Sequence, residues 1–398
     1  MRKTIIICFS AVLLLAACKD RDNAVLQKPL SISERRLSEL SIKMANYLPQ
    51  VAVDSNRIPR ALAADGSLIA ENSHQWTSGF FPGTLWLLYG YSKDAAMKNA
   101  AKQWTAFLEK EKWDGHTHDL GFKLNSSFGN AYKITNNPKY KDVVVQASKT
   151  LINRYNNKIG CIRSWDWNAD VWQFPVIIDN IMNLEMLFEA TAYTGDSTFY
   201  NIARQHAKTT LKNHYRPDFS CFHVVDYDTL TGEVRLKTTH QGYSDGSAWS
   251  RGQAWGLYGY TMAYGKTKDP AFLEQAKGIA QFFFNHPRLP ADKIPYWDFD
   301  APNIPNEPRD VSAAAVAACG LLELCEYNPA NKTQYLTWAD AILASLAKPE
   351  YQSEAPPFLL DHSTGSVPGE FEVDVPIVYA DYYYVTALLR RLALAGKE

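Results

Sequence analysis

No excess of either charge marks this 398-residue chain, in which 41 Lys and Arg stand against 42 Asp and Glu. A general nucleic-acid binder carries a basic surplus, so nucleic acid is not an expected partner. Disordered chains are poor in aromatics and rich in net charge, and this one, at 13% aromatic, is neither. Cysteines number six, and none stands in a CxxC or Cys/His arrangement with zinc spacing. Cys319 and Cys325 lie in an Ala/Leu-rich helical stretch and read as small core residues. A Cys161–Cys221 bridge stays open if the protein is exported. What the chain has in quantity is aromatic: 11 Trp, 22 Tyr and 18 Phe. That suits either a large helical core or a sugar-binding cleft, and composition does not choose.

Residues 1–17 read as a secretory signal: Arg2 and Lys3, then an apolar run too short for a comfortable membrane span. Leu15-Ala16-Ala17-Cys18 resembles a bacterial lipobox, with Cys18 as the lipidated residue. The expected organisation is signal peptide 1–17, lipoprotein tether 18–31 and a single catalytic domain 32–398. The membrane is expected as a partner through the N-terminal lipid alone, on the periplasmic side or the cell surface.

Helical periodicity dominates the rest and predicts about twelve helices, near 33–49, 79–91, 93–111, 121–135, 138–156, 174–194, 196–213, 249–266, 269–285, 309–328, 331–347 and 376–395. Their connections alternate. One kind is short and built of turn residues: Tyr91-Ser92-Lys93-Asp94, Asn136-Asn137-Pro138, Thr194-Gly195-Asp196, Lys268-Asp269-Pro270 and Asn328-Pro329-Ala330. The other kind is long and rich in Trp, His, Asp and Gly. Short turns make antiparallel helix pairs, and the last helix can pair with the first. Six such hairpins in a ring predict an all-α (α/α)6 barrel with its long connections on one rim, where function concentrates.

Trp76, Trp113, Trp165, Trp167, Trp249 and Trp297 fall in those long connections, beside carboxylates. Indole faces pack on a pyranose ring while its hydroxyls need polar partners, so one carbohydrate cleft is expected. Asp119, between His118 and Gly121 at a helix start, is a candidate whose bland alternative is a helix N-cap. His116 and His118 resemble a metal pair but lack further ligands at a recognisable spacing, so neither metal nor cofactor is expected. Asp179 lies in the apolar run Phe174-Pro175-Val176-Ile177-Ile178-Asp179-Asn180, read as the first two turns of a helix. Burial would raise its pKa and the helix N-terminus lower it, which makes it a candidate general acid/base. Arg251, boxed by Trp249 and Trp255, suits a bidentate contact with a substrate carboxylate.

The segments His118-Asp119-Leu120-Gly121-Phe122, Asp179-Asn180-Ile181-Met182-Asn183, His240-Gln241-Gly242-Tyr243 and Ser247-Ala248-Trp249-Ser250-Arg251-Gly252-Gln253-Ala254-Trp255-Gly256 resemble glycoside hydrolase family 88, the unsaturated glucuronyl hydrolases. The likeness runs in order from about Trp76 to Tyr384 and implies an (α/α)6 barrel. It also implies a reaction that removes a 4,5-unsaturated uronic acid from the non-reducing end of lyase-generated oligosaccharides. By match, Asp179 is the acid/base and Asp119 a second essential carboxylate that binds substrate and stabilises charge. His223, Gln241, Trp249, Arg251 and Trp255 match substrate-contacting positions, as do Trp76 and one of Trp165 and Trp167, with His118 and Thr239 further candidates. The neighbouring unsaturated rhamnogalacturonyl hydrolases typically read Arg-Gly-Asn-Gly-Trp where this chain has Arg251-Gly252-Gln253-Ala254-Trp255. Two other classes compete: a glycan-binding lipoprotein without activity, and a sugar epimerase. For sulfated substrates, residues 349–389 contain no Lys or Arg, which leaves Lys237 and Arg163 as candidate contacts.

Overall fold

The computed structural model describes residues 31–396. The signal peptide, Cys18 and nearly all of the tether lie outside the described residues.

Twelve helices form among the described residues. In chain order they are α1 Ile32–Tyr47, α2 Phe80–Ser92, α3 Ala95–Ala106, α4 Asn130–Thr135, α5 Pro138–Ile152, α6 Asn180–Thr194, α7 Ser197–His214, α8 Ser250–Thr267, α9 Pro270–Asn285, α10 Val311–Tyr327, α11 Lys332–Leu346 and α12 Val378–Ala395. A nine-residue π-helix, Gly121–Gly129, runs directly into α4. The tight reversals are built to one plan. At four of them a residue at positive φ (Lys93, Asn136, Gly195 or Lys268) ends one helix. The next residue (Asp94, Asn137, Asp196 or Asp269) then caps the following helix through its side chain. Left-handed C-caps and Asx N-caps are local rules, so these turns follow from a few residues each.

The pairing closes a ring. α2, the π-helix, α6, α8, α10 and α12 each touch the next, and α12 returns to α2. Each carries an outer partner, in turn α3, α5, α7, α9, α11 and α1. Inner helices such as α8 and α10 are buried on nearly every side. Outer helices such as α3 and α9 bury one stripe, as a helix with a single apolar face must. This is the expected (α/α)6 barrel, with α1 completing the sixth pair.

Strands occur in the connections, where sequence periodicity read no sheet. β1 (Ile58–Leu62) and β2 (Leu68–Glu71) form a hairpin, as do β3 (Tyr155–Asn156) and β4 (Cys161–Ile162). β5 (Pro175–Ile177), β6 (Val224–Tyr227) and β7 (Val234–Thr238) form an antiparallel sheet. β5 corrects the helix expected over 174–194: α6 starts only at Asn180. A buried run of β-branched residues behind a proline satisfies either state, and pairing with β6 selects the strand. The helices expected over 93–111 and 138–156 likewise end at Ala106 and Ile152. Cys161 and Cys221 are separate buried thiols.

Candidate active site

The long connections meet over the inner helices in a cleft of about 410 Å³. Its walls include Trp76, His118, Asp119, Trp165, Trp167, Asp179, Gln241 and Arg251, so eight of the sequence-predicted residues come together. His74, Ser164, Ile177, Phe371, Glu372 and Tyr379 join them.

Neither carboxylate is a helix cap. Asp179 stands at the N-terminus of α6 and Asp119 just before the π-helix, yet no backbone amide of those first turns donates to either side chain. The Asx residues of the tight turns do cap, so the difference is one of role. Asp119 keeps its own loop contacts: Thr117 Oγ1 donates to its Oδ2 at 3.0 Å, and His118 Nε2 lies 3.2 Å from its Oδ1.

Asp179 is 7% exposed, and its Oδ2 has no hydrogen-bond partner on the protein. Burial raises its pKa to about 7; Arg251 works against that rise and Asp119 adds to it. At neutral pH the group therefore spends much of its time protonated, as a proton donor must. The His223 ring lies close by, its Nε2 3.6 Å from Oδ2. Backbone amides of His240 and Gln241 both donate to His223 Nδ1, at 3.1 Å each. Nδ1 is thereby an acceptor, so the imidazole proton sits on Nε2, toward Asp179. Burial, with His240 and Arg251 nearby, pushes the His223 pKa well down and keeps the ring neutral.

Arg251 differs from expectation. Its guanidinium is 1% exposed, and Nη1 is held by Asp310 at 2.7 Å and by the Thr364 carbonyl. Nη2 donates to the Gly365 carbonyl at 2.6 Å, while Nε has no partner. The Nη1 side is thus taken by the protein, and Nε with the second Nη2 hydrogen is the edge left without a protein partner. The aromatic expectation also needs correction. Trp249 and Trp255 are buried behind the wall, Trp249 against the His223 ring at 4.6 Å and under Arg251, Trp255 against Phe122 at 5.2 Å. His223 is buried with them. Trp297 is buried, whereas Trp113 is exposed and neither lines the cleft. Thr239 is a loop residue whose Oγ1 accepts from the Gly242 amide. Lys237 and Arg163 lie outside the lining: Lys237 sits over the Phe222 ring and Arg163 beside Asp166.

His116 and His118 do not converge on a common point, since His116 lies near Asp166 and His118 near Asp119. Three ligand-type groups do gather at His74, Glu111 and Asp114. The fully buried Lys123 ammonium lies 2.9 Å from both carboxylates there, a tethered cation where a metal would sit.

Sequence reasoning missed Asp310, Glu372 and Tyr379. Asp310 carried a signal, an Asp directly before the apolar helix α10; nothing local marks its pairing with Arg251.

A ring of helix pairs whose rim carries two uncapped carboxylates, a sequestered arginine and indole walls is the frame of a carbohydrate-active hydrolase. The chain belongs to the unsaturated glucuronyl hydrolases, glycoside hydrolase family 88. It is 48% identical to the unsaturated glucuronyl hydrolase of Formosa agariphila over 360 residues, 89% of this chain and 88% of that protein. The crystal structure of an unsaturated glucuronyl hydrolase specific for heparin matches with a TM-score of 0.88 and 43% identity, covering 92% of this chain and 98% of that one. A mutant of the Streptococcus agalactiae enzyme, complexed with dGlcA-GalNAc6S, matches with a TM-score of 0.76 and 30% identity, covering 92% and 93%. No family model matches the chain.

Proposed function

We propose that this protein removes the 4,5-unsaturated uronic acid from the non-reducing end of lyase-generated, glycosaminoglycan-derived oligosaccharides. The observation that carries the reading is Asp179, a buried carboxyl held partly protonated near pH 7 in an indole-walled cleft. The C4=C5 bond and the ring oxygen of such a sugar form a vinyl ether. Asp179 gives its proton to C4, and positive charge develops on C5 and the ring oxygen, where the Asp119 carboxylate stabilises it. Water adds at C5 and returns a proton to Asp179. The hemiketal opens, releasing the remaining sugar and an open-chain keto acid. One carboxyl group serves as acid and then base, so the carboxylate-spacing rule of ordinary glycosidases does not apply. Incubation with unsaturated disaccharides, sulfated and unsulfated, tests the reading. The absorbance of the conjugated double bond should vanish and the masses of the two products should sum to the substrate plus one water; persistence of the absorbance with every substrate would refute it.

Trp165 and Trp167 stack at 4.6 Å and 14°, and Trp167 is 47% exposed at the cleft mouth. As a platform for the sugar it contributes binding common to ground and transition states. Trp167→Ala should therefore raise KM about fivefold, the equivalent of about 1 kcal/mol, with kcat nearly unchanged. Initial rates across substrate concentration check it.

The signal-like residues 1–17 and Cys18 support an exported, lipid-anchored enzyme.

A further inference from the structure

Asp119 leaves a task undone. It stands one residue before Leu120, the N-cap of the π-helix, and its side chain is bonded to Thr117 rather than to the first-turn amides. One of those amides, Phe122 N, is satisfied from another helix: Asn183 Oδ1 accepts its hydrogen at 2.9 Å. Asn183 is fully buried on α6, one turn beyond Asp179. Gly121 permits the approach, for a Cβ there would lie 2.7 Å from both Cα and Oδ1 of Asn183. Asn180, on the same helix, donates to the Ile162 carbonyl at 2.9 Å. The stretch that follows Asp119 is thus held by an asparagine of the helix that Asp179 begins. Asn183 Nδ2 is buried without a partner on the protein.

We propose that Asn183, seated against Gly121, is the positioning residue that fixes the separation of Asp119 from Asp179. The inference rests on the reading of Asp179 as proton donor. The groups that face Asp179 are Asp119 at the entry to the π-helix, Arg251 and Trp255 on α8, and Cys221 and His223 ahead of β6. Of the two charged groups among these, Asp119 lies two residues from Gly121, whereas Arg251 is held separately by Asp310 and the Thr364 and Gly365 carbonyls. Asp119 favours the protonated acid, whereas Arg251 favours the ionised one. If the contact loosens, Asp119 draws away while Arg251 stays, and Asp179 gives up its proton at lower pH.

The experiment is the pH dependence of kcat/KM for Asn183→Ala and Gly121→Ala. Asp179 must be protonated to act, so the rate falls as pH rises through its pKa. Both variants should move that limb down by about half a pH unit or more. Asn183→Asp keeps an acceptor for Phe122 N and adds negative charge, so its limb should stay in place or move up. Because a carboxyl with a raised pKa makes folding less favourable as pH rises, circular dichroism across the same pH range must show each variant folded where its limb is read. An unmoved limb in both alanine variants overturns the proposal. Should Asp179→Asn prove active, the proton-donor reading fails instead; with that variant inactive and the limb unmoved, only the positioning role fails.

Discussion

Asp179→Asn is expected to lower kcat by about a thousandfold while leaving substrate affinity close to its original value. Asparagine has the shape of a protonated carboxyl group but holds no proton that it can transfer to carbon. General acid–base groups contribute roughly 10²–10⁴-fold, and here one residue serves both the protonation of C4 and the attack of water. Binding should survive because Asp179 is 7% exposed and is not the main source of cleft surface. Initial rates followed by loss of the double bond, with affinity from calorimetry, separate the two effects. A variant retaining a tenth of the activity would remove Asp179 from the role. The same carboxyl sets the pH profile. With its pKa raised to about 7, wild-type kcat/KM should fall about tenfold per unit above that value. An ordinary carboxyl would have placed that limb near pH 4. A profile flat from pH 6 to about 9 would contradict the assignment.

Both carboxylates were visible in the sequence, yet their function was not separable there from helix capping. Asp94, Asp196 and Asp269 cap their helices, and so does Asp310. Asp119 and Asp179 stand in comparable sequence positions and do not cap. Only the placement of neighbouring elements distinguishes the two groups. The barrel was readable because its turns obey local rules, with a left-handed residue followed by an Asx cap. The sheet β5–β6–β7 was not: Pro175-Val176-Ile177-Ile178 is apolar on both faces, so periodicity is silent and pairing over long sequence separation decides. Tryptophans divided for the same reason. Trp165 and Trp167 meet the cleft, whereas Trp249 supports the wall from behind by packing on His223 and Arg251. A sequence shows that an indole lies in a connection, but not which side of the wall it takes.

Arg251 and Asp310 show what that distance conceals, and their separation makes the second large effect. Arg251 is 1% exposed and Asp310 fully buried, with Nη1 and Oδ2 2.7 Å apart. The other oxygen, Oδ1, accepts from the amides of Ser312 at 3.0 Å and Ala313 at 3.3 Å and caps α10. Asp310→Ala therefore removes the counterion of a buried cation and a helix cap together. Breaking one side of a buried pair costs about 3–5 kcal/mol, and loss of a cap about 1 kcal/mol. Part of the sum will be recovered as the Thr364 and Gly365 carbonyls and entering water solvate Arg251, so a net loss of about 4 kcal/mol is expected in denaturant unfolding. Asp310→Asn keeps an oxygen for the cap and removes only the charge, so it should lose less stability. In both variants Arg251 loses its partner and stabilises ionised Asp179 more strongly. The rate at neutral pH should fall, and the limb of kcat/KM should move to lower pH in the folded protein. A stability loss below about 1 kcal/mol for Asp310→Ala would mean that the carbonyls alone hold the guanidinium. An unchanged limb would mean that Arg251 acts on Asp179 through its position, with its counterion irrelevant to the proton.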